Sequence, residues 1–281
     1  MAELAGPADY VRLAAEVLGI RNAPPALARR LVEQALVVED RREAWLRAGE
    51  RICAEAPPVP GVYILRDVDG RTLYVGKAIN IRRRLQTHFA PRRWRHLKPA
   101  FARAATGEWR QVGSELEALL EEARLIRELQ PAVNVQVGAP VLDTRAVPEA
   151  LVRDVVVVLP SAEERCVELL SVRAAGPVRL QRVRRDGTGL AARATAIRRF
   201  FSEPGMATTD VSDGLVLDRL APLVFSWLSG RGAHATRLDP HDAGSARELQ
   251  RRLKVILNDD RLFEDRIVVI RSGFRSASSR P

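Results

Sequence analysis

Helical periodicity dominates the first part of the chain. Apolar residues in the segment 10–18 recur near a period of 3.6, and Gly19 follows as a stop signal. A second helix is predicted after Pro24 and Pro25, over 26–38, and a third is predicted over 42–53. The pattern brings no carboxylates, histidines or hydroxyls together. Residues 1–56 are therefore interpreted as a helical N-terminal appendage that serves packing or docking.

The period changes after the proline-rich segment 56–60, which cannot continue a helix. Two β-prone runs, 62–65 and 72–75, flank the turn-forming sequence of 67–70. This arrangement predicts an antiparallel hairpin. A basic helix is predicted to follow it from Asn80, whose side chain suits an N-cap.

A further strand and a long helix complete this region. The strand is predicted at 108–113, and the spacing of Ser114 and Glu117 indicates a capping box at the start of the helix. Pro131 ends the helix. A small antiparallel sheet with flanking helices is therefore expected over 57–138.

The remaining pattern predicts a second, mixed α/β domain over 139–272, with no indication of its role. The tail, 273–281, is polar enough to be disordered. The elements expected in this part are strands at 154–160, 165–173, 177–183 and 265–271 and helices near 190–201, 215–229 and 246–257. The fold class expected for the whole chain is α+β.

Length and composition argue against several classes of protein. A chain of 281 residues favours two compact units, and no apolar run approaches the ~20 residues of a membrane span. The first ten residues lack the pattern of a secretory signal, so we expect a cytoplasmic protein without a membrane partner. Cys53 and Cys166 have no metal-ligand spacing and are interpreted as small buried hydrophobes.

The charge balance favours a polyanionic partner. Lys and Arg number 45 against 35 Asp and Glu, which gives a formal net charge of +10. Nucleic acid is the leading candidate, and the charge does not distinguish DNA from RNA. A coding bias toward arginine would give the same balance, because lysine occurs only at Lys77, Lys98 and Lys254.

The chemistry-bearing residues concentrate in 61–134. Two of the three tyrosines of the chain, Tyr63 and Tyr74, lie on adjacent strands of the predicted hairpin. A series of motifs resembles the GIY-YIG endonuclease superfamily. In order along the chain, they are GVY, YVGK, an arginine in IRRR, the helix LLEEARLI and QPAVN. The nuclease domain of the UvrC excision-repair subunit and its single-incision relative Cho are the most similar members. The resemblance covers about 80 residues, 60–136.

The resemblance implies a catalytic set at six positions of the motifs. Glu122 would be the single carboxylate that binds one divalent metal, Mg²⁺ or Mn²⁺. Arg84 would contact the scissile phosphate and offset the charge that develops there. The six positions are Tyr63, Tyr74, Lys77, Arg84, Glu122 and Asn134.

The other roles also follow from the resemblance. One tyrosine would act as the general base that activates water, with a pKa lowered by the metal or by Lys77, and the sequence leaves open which one. Asn134 would close the site by hydrogen bonding. Gly61 and Gly76 belong to the two motifs as structural residues, and Gly76 would allow a close backbone approach.

A basic stretch after the hairpin supplies candidate DNA contacts. Its aromatic residue would stack on a base, although a solvated basic face explains the same pattern. His88 would assist proton transfer or be a partly buried structural histidine. The candidate residues are Arg82, Arg83, His88, Arg92, Arg93, Trp94, Arg95 and Lys98.

Departures from the family pattern limit these expectations. Both motifs carry valine in place of isoleucine, and neither a second nuclease half nor paired helix-hairpin-helix motifs are recognisable. We therefore expect a metal-dependent DNA endonuclease that makes a single-strand incision in DNA repair, with DNA-repair proteins as further partners. The alternatives are a non-cleaving module that binds DNA or recruits a partner, and a nuclease for branched or foreign DNA.

Overall fold

The fold is built around two antiparallel sheets. No helix of the described part is long and apolar enough to cross a membrane. The strand expected at 265–271 and the tail at 273–281 lie outside the described residues. The computed structural model describes residues 7–96, 100–137, 147–174, 176–203, 215–217 and 220–259.

Two helices form the N-terminal part. The helix α1 (Pro7–Glu16) packs on α2 (Pro25–Glu55), which begins with proline in its first turn. The expectation of a separate helix over 42–53 was wrong, because α2 runs through this segment without a break. The ring of Phe89 packs against Gly49 in the interior of this helix. A Cβ at Gly49 would stand 2.6 Å from that ring.

The first sheet has three strands in the order β2-β1-β3, with antiparallel pairing throughout. They are β1 (Gly61–Arg66), β2 (Thr72–Ala78) and β3 (Thr106–Gln111). The predicted hairpin is confirmed. Its turn is closed by Asp67, whose Oδ1 accepts hydrogen bonds from two backbone N–H groups, and Gly70 adopts a positive φ of 78°.

Helices cover this sheet. The helix α3 (Ile81–His88) begins as predicted at Asn80, whose side chain accepts a hydrogen bond of 2.9 Å from a backbone N–H. Together with α2 it packs on one face. The helices α4 (Glu115–Leu129) and α5 (Ala132–Val137) pack beside β2.

The second sheet has the strand order β7-β6-β5-β4-β8, and its neighbouring strands pair antiparallel. The central strands of this sheet have uninterrupted runs of apolar residues because helices cover both of their faces. The helices α6 and α8 cover one face, and α7 covers the other. The strands are β4 (Val155–Pro160), β5 (Cys166–Val172), β6 (Val178–Arg184), β7 (Leu215–Leu217) and β8 (Arg237–Leu238). The helices are α6 (Leu190–Ser202), α7 (Ala221–Ser229) and α8 (Ala246–Leu257).

Two expectations for this part need correction. The helix expected at 215–229 is divided, because 215–217 pairs with β6 as a strand and the helix begins only at Ala221. Cys166 is buried as expected, whereas Cys53 is partly exposed. The α+β class, with a small antiparallel sheet flanked by helices and a further mixed part, is confirmed.

The helix α4 contributes to both sheets. Leu116 and Leu120 belong to the core beneath the second sheet, whereas Ala118 belongs to a core beneath the first. Residues at these spacings point to different sides of one helix. The helix is therefore a shared layer between the two sheets.

The start of α4 differs in part from the predicted capping box. The Ser114 hydroxyl accepts a hydrogen bond of 3.1 Å from the backbone N–H of Glu117, as predicted. The Glu117 carboxylate, however, accepts from the N–H of Gly113 at 2.8 Å rather than from that of Ser114. The side chain thus reaches one residue beyond the helix, toward the second sheet.

Replacing Leu120 with alanine is expected to lower the free energy of unfolding by about 2–5 kcal/mol, because its side chain is buried between α4 and the second sheet. Urea unfolding measures the change. The matched control is Val255→Ala on α8, where the residue is 69% exposed and the expected change is within about 0.5 kcal/mol. Equal effects of the two variants would contradict the shared-layer description.

Candidate active site

The two motif tyrosines lie on one face of the hairpin. In the β1–β2 register Tyr63 is opposite Gly76 and Leu65 is opposite Tyr74, so the two rings are diagonal neighbours with centroids 5.9 Å apart. A Cβ on Gly76 would stand 2.6 Å from Cε1 of Tyr74 and 2.7 Å from the Tyr63 hydroxyl. Only glycine therefore allows both phenols to lie over β2.

The first motif glycine is also required by close packing. A Cβ on Gly61 would stand 2.3 Å from the carbonyl oxygen of Arg110 on β3 and 2.8 Å from Cδ1 of Ile81 on α3. This glycine lets the sheet and α3 meet at the beginning of β1.

Two side chains from outside the sheet bind the free edge of β2. Glu122 on α4 accepts a hydrogen bond of 3.1 Å from the backbone N–H of Lys77. Asn134 on α5 accepts from the N–H of Val75 at 2.8 Å and donates to the carbonyl of the same residue at 2.9 Å. An edge strand leaves such groups unpaired, and these two side chains satisfy them.

His88, at the end of α3, contacts the tyrosine pair. Its Nε2 lies 2.8 Å from the Tyr63 hydroxyl, and its ring is 5.7 Å from that of Tyr74. Phe101 packs against the same group, with its ring 5.4 Å from His88. The histidine therefore belongs to the site as a half-buried partner of Tyr63.

Burial sets the protonation of this cluster. It lowers the pKa of His88 to about 4, and the charges of Arg84 and Arg93 act in the same direction, so the imidazole is neutral at physiological pH. Its unprotonated Nε2 can accept the hydrogen bond from the O–H of Tyr63. Burial raises the pKa of Tyr63 and of Tyr74, against the charge of Arg84.

The expected metal ligand lies next to this cluster. Burial raises the pKa of Glu122, and the charges of Lys77 and Arg84 oppose the shift. A bound divalent cation would offset the same burial cost, and a carboxylate is a ligand that Mg²⁺ and Mn²⁺ accept. Within the described ranges, no group of three or more His, Cys, Asp or Glu side chains gathers.

Arg84 faces the site from the exposed side of α3. Its charge acts on Tyr63, Tyr74, His88 and Glu122. All six residues of the expected catalytic set thus lie around the edge strand β2. The tyrosines lie on one face, Arg84 beside them, and Glu122 and Asn134 at the edge with Lys77.

The residues expected to contact DNA are distributed unevenly. Arg82 donates to the carbonyl of Ala56 at 2.7 Å, and its side chain therefore helps to hold α3 on α2. The ring of Trp94 lies 5.5 Å from that of Trp45, in the core that supports the tyrosine face, so packing accounts for this aromatic residue. The exposed candidates are Arg83, Arg92 and Arg93. Lys98 and the side chain of Arg95 lie outside the described residues.

Two features of the site were not singled out from the sequence. The hydrogen bond between Tyr63 and His88 joins residues 25 positions apart, and no local pattern signals it. Phe101 follows a segment without periodicity, so nothing marked it as a neighbour of the tyrosines. His88 itself was a candidate from the sequence, but not as a partner of Tyr63.

Comparison with known proteins identifies the class of this domain. Residues 59–135 match the model of the UvrC-like GIY-YIG domain. This part of the chain is a GIY-YIG domain of the UvrC type, and the class is that of a nuclease.

The curated relatives are UvrABC system proteins C. The chain is 48% identical over 83 residues to the UvrABC system protein C of Paenarthrobacter aurescens (strain TC1), and 42% identical over 85 residues to that of Bifidobacterium longum (strain DJO10A). These alignments cover 29% and 30% of this chain but only 12% and 11% of the relatives. The match is thus confined to one domain of much longer proteins.

A solved structure is similar over the same part. It is the GIY-YIG N-terminal endonuclease domain of UvrC from Thermotoga maritima, bound to its catalytic divalent cation, magnesium. The sequence identity is 31%, and the alignment covers 31% of this chain and 94% of that domain with a TM-score of 0.27.

Replacing Asn134 with aspartate is expected to cost about 1–3 kcal/mol of unfolding free energy, because a carboxylate cannot donate to the carbonyl of Val75. Urea unfolding at neutral pH measures the loss. The control is Gln130→Ala, which removes an exposed side-chain hydrogen bond to the carbonyl of Arg127. An Asp variant as stable as the wild type would show that the edge contact does not hold α5 in place.

Proposed function

We propose that the chain is a metal-dependent DNA endonuclease that hydrolyses phosphodiester bonds and makes a single-strand incision in DNA repair. One observation carries the proposal: the Glu122 carboxylate is held at the edge of β2 by the N–H of Lys77, beside the tyrosine pair and Arg84. A carboxylate that binds a metal, a guanidinium and a proton-accepting group can together catalyse hydrolysis of a phosphodiester.

Glu122 would hold the metal, which supplies charge neutralisation at the phosphate and lowers the pKa of a coordinated water. One oxygen of the carboxylate is oriented by the hydrogen bond from Lys77 N–H, and no described residue donates to the other. A ligand oriented in this way presents its free oxygen in a fixed direction. The metal binding of the related UvrC domain supports the same assignment.

Arg84 would bind the phosphate that is cleaved. Its side chain is exposed on α3, and its charge already acts on both phenols and on Glu122. The planar guanidinium stays charged at all physiological pH values and can donate two parallel hydrogen bonds to phosphate oxygens. It would therefore stabilise the charge that develops as the bond breaks.

The Tyr63–His88 pair would take up the proton of the attacking water. Burial disfavours the phenolate of Tyr63, so the phenol is a poor base by itself. In the pair, Tyr63 accepts a proton as its own proton passes to Nε2 of His88, over a contact of 2.8 Å. The phosphate at Arg84 would favour this transfer, because its negative charge offsets the arginines that now disfavour a charged imidazole.

The proposed partners follow from the same comparison. The curated relatives are proteins of the UvrABC system, so DNA and other DNA-repair proteins are the partners proposed for this chain. The basic balance of the sequence, +10, agrees with a DNA partner. A cytoplasmic location, where such a system works, belongs to the same proposal.

Glu122→Gln is expected to abolish metal-dependent nicking while the fold is kept, because the amide oxygen can still accept from Lys77 N–H but lacks the negative charge. The loss should be about a hundredfold or more, since the metal contributes several kcal/mol. The measurement is nicking of supercoiled plasmid, untreated and UV-irradiated, with Mg²⁺, Mn²⁺ or chelator.

The matched control for this experiment is Glu128→Gln, at the exposed end of α4, which should nick like the wild type. A preference for irradiated plasmid supports the repair role. If wild type and Glu122→Gln bind DNA equally and neither nicks, the non-cleaving module replaces the proposed nuclease.

His88→Gln is expected to lower the nicking rate about a hundredfold without weakening DNA binding, because glutamine accepts the Tyr63 hydrogen bond but cannot take its proton. Single-turnover nicking and a binding titration with Ca²⁺ separate the two effects. The wild-type rate should show no inflection from His88 between pH 6 and 8, since burial lowers the pKa of the imidazole to about 4. An unchanged rate in the variant would remove His88 from the mechanism.

A further inference from the structure

The junction between α4 and the second sheet contains a buried carboxylate from each side. Glu117 on α4 is 4% exposed, and Glu168 on β5 is 2% exposed. Two like charges at such a junction are costly unless donors compensate them. The junction therefore depends on hydrogen-bond donors in fixed positions as well as on apolar packing.

Each of the two carboxylates accepts hydrogen bonds from donors on its own side of the junction. Glu117 accepts from the N–H of Gly113, immediately before α4, at 2.8 Å. Glu168 accepts from the hydroxyl of Ser161 at 2.8 Å and from Nε of Arg182 at 2.6 Å. The charges of Glu168 and Arg182 also act on Glu117. The two carboxylates thus belong to one electrostatic group.

The backbone at this junction is in close contact. A Cβ on Gly113 would stand 2.3 Å from the carbonyl oxygen of Pro160, at the end of β4. Leu116 and Leu120 continue the contact along α4 into the core of the second sheet. Glu115, in the first turn of α4, also forms an ion pair with Arg231. The first two turns of α4 are therefore fixed by the second sheet, and Glu122 lies in the turn that follows.

We propose that the second sheet holds α4 in the position that brings Glu122 to the N–H of Lys77, and that Glu117 is the positioning residue of this junction. The proposal rests on the proposed function, because it gives the C-terminal part a role in supporting the metal ligand. Glu117 does not touch the reacting atoms and acts only through the helix that it anchors.

The protonation of Glu117 gives the junction a dependence on pH. Burial raises its pKa to about 7, as does the charge of Glu168, while the Gly113 N–H, Arg182 and Arg110 oppose the shift. Between pH 4.5, the ordinary value, and about 7, the folded protein holds a proton that the unfolded chain has lost. The contribution of Glu117 to stability therefore falls as the pH rises through this range and is constant above it.

The test follows the amide hydrogen of Lys77, because its bond to Glu122 reports the position of the metal ligand without any need for activity. In Glu117→Ala, we expect about tenfold faster exchange of this amide and of the α4 amides, with amides of β5 and β6 protected as in the wild type. Glu117→Gln should remain near the wild type, because its amide oxygen accepts from Gly113. Gly113→Ala should reproduce the alanine variant, and Glu128→Gln is the unaffected control.

A second measurement uses the pH. After correction for intrinsic exchange, the ratio of Lys77 amide protection in the wild type to that in Glu117→Gln should fall between pH 5 and 7.5, because Glu122 titrates in both proteins and Glu117 only in the wild type. In nicking assays, Glu117→Ala should lower kcat and leave KM unchanged, and Glu117→Gln should restore kcat.

Two results would overturn the proposal. One is an unchanged Lys77 amide in a folded Glu117→Ala protein. The other is an equal loss of protection throughout both sheets, which would indicate general destabilisation. If the wild type fails to nick while the exchange results are as expected, the proposed function is wrong and the positioning of Glu122 by the second sheet still stands.

Discussion

The free edge of β2 is the constraint on which the site depends. This strand pairs with β1 on one side only, so its outward N–H and C=O groups need other partners. Glu122 and Asn134 provide them with hydrogen bonds of 2.8 to 3.1 Å to Val75 and Lys77. The same contacts that satisfy the backbone therefore bring a carboxylate to the tyrosines. In the proposed function, the atoms that satisfy the backbone of β2 would also serve the chemistry of the site.

The helix α4 connects the edge of β2 to the second sheet. Its apolar residues serve two cores, and its acidic residues have different environments within two turns. Burial raises the pKa of Glu117 to about 7 at the junction with the second sheet. Burial would also raise the pKa of Glu121, but Arg124 and Arg110 reverse the shift and lower it. Glutamates one helical turn apart thus differ in their proton affinity because of what packs against each.

Local patterns predicted the elements of the site well, because the spacing of residues along a strand or helix fixes the face on which they lie. Tyr63 and Tyr74 could be placed together from the hairpin alone, and the start of α3 could be read from Asn80. The partner of Tyr63 could not be predicted in this way. His88 reaches Tyr63 only because of how the chain runs from β2 through α3. The continuous α2 was also missed, because a polar exposed middle segment has no apolar stripe to mark it as helix.

Net charge is a weaker guide to function here than the position of a few arginines. Much of the basic excess near the site is neutralised locally, as in the pairs of Arg66 with Glu108 and of Arg110 and Arg124 with Glu121. Arg84 is different: it forms no ion pair within the described ranges, and its field reaches both phenols, the imidazole and Glu122. An anion that binds there would change the proton affinity of all these groups together. In the proposed function, substrate binding and proton transfer would be coupled through this one side chain.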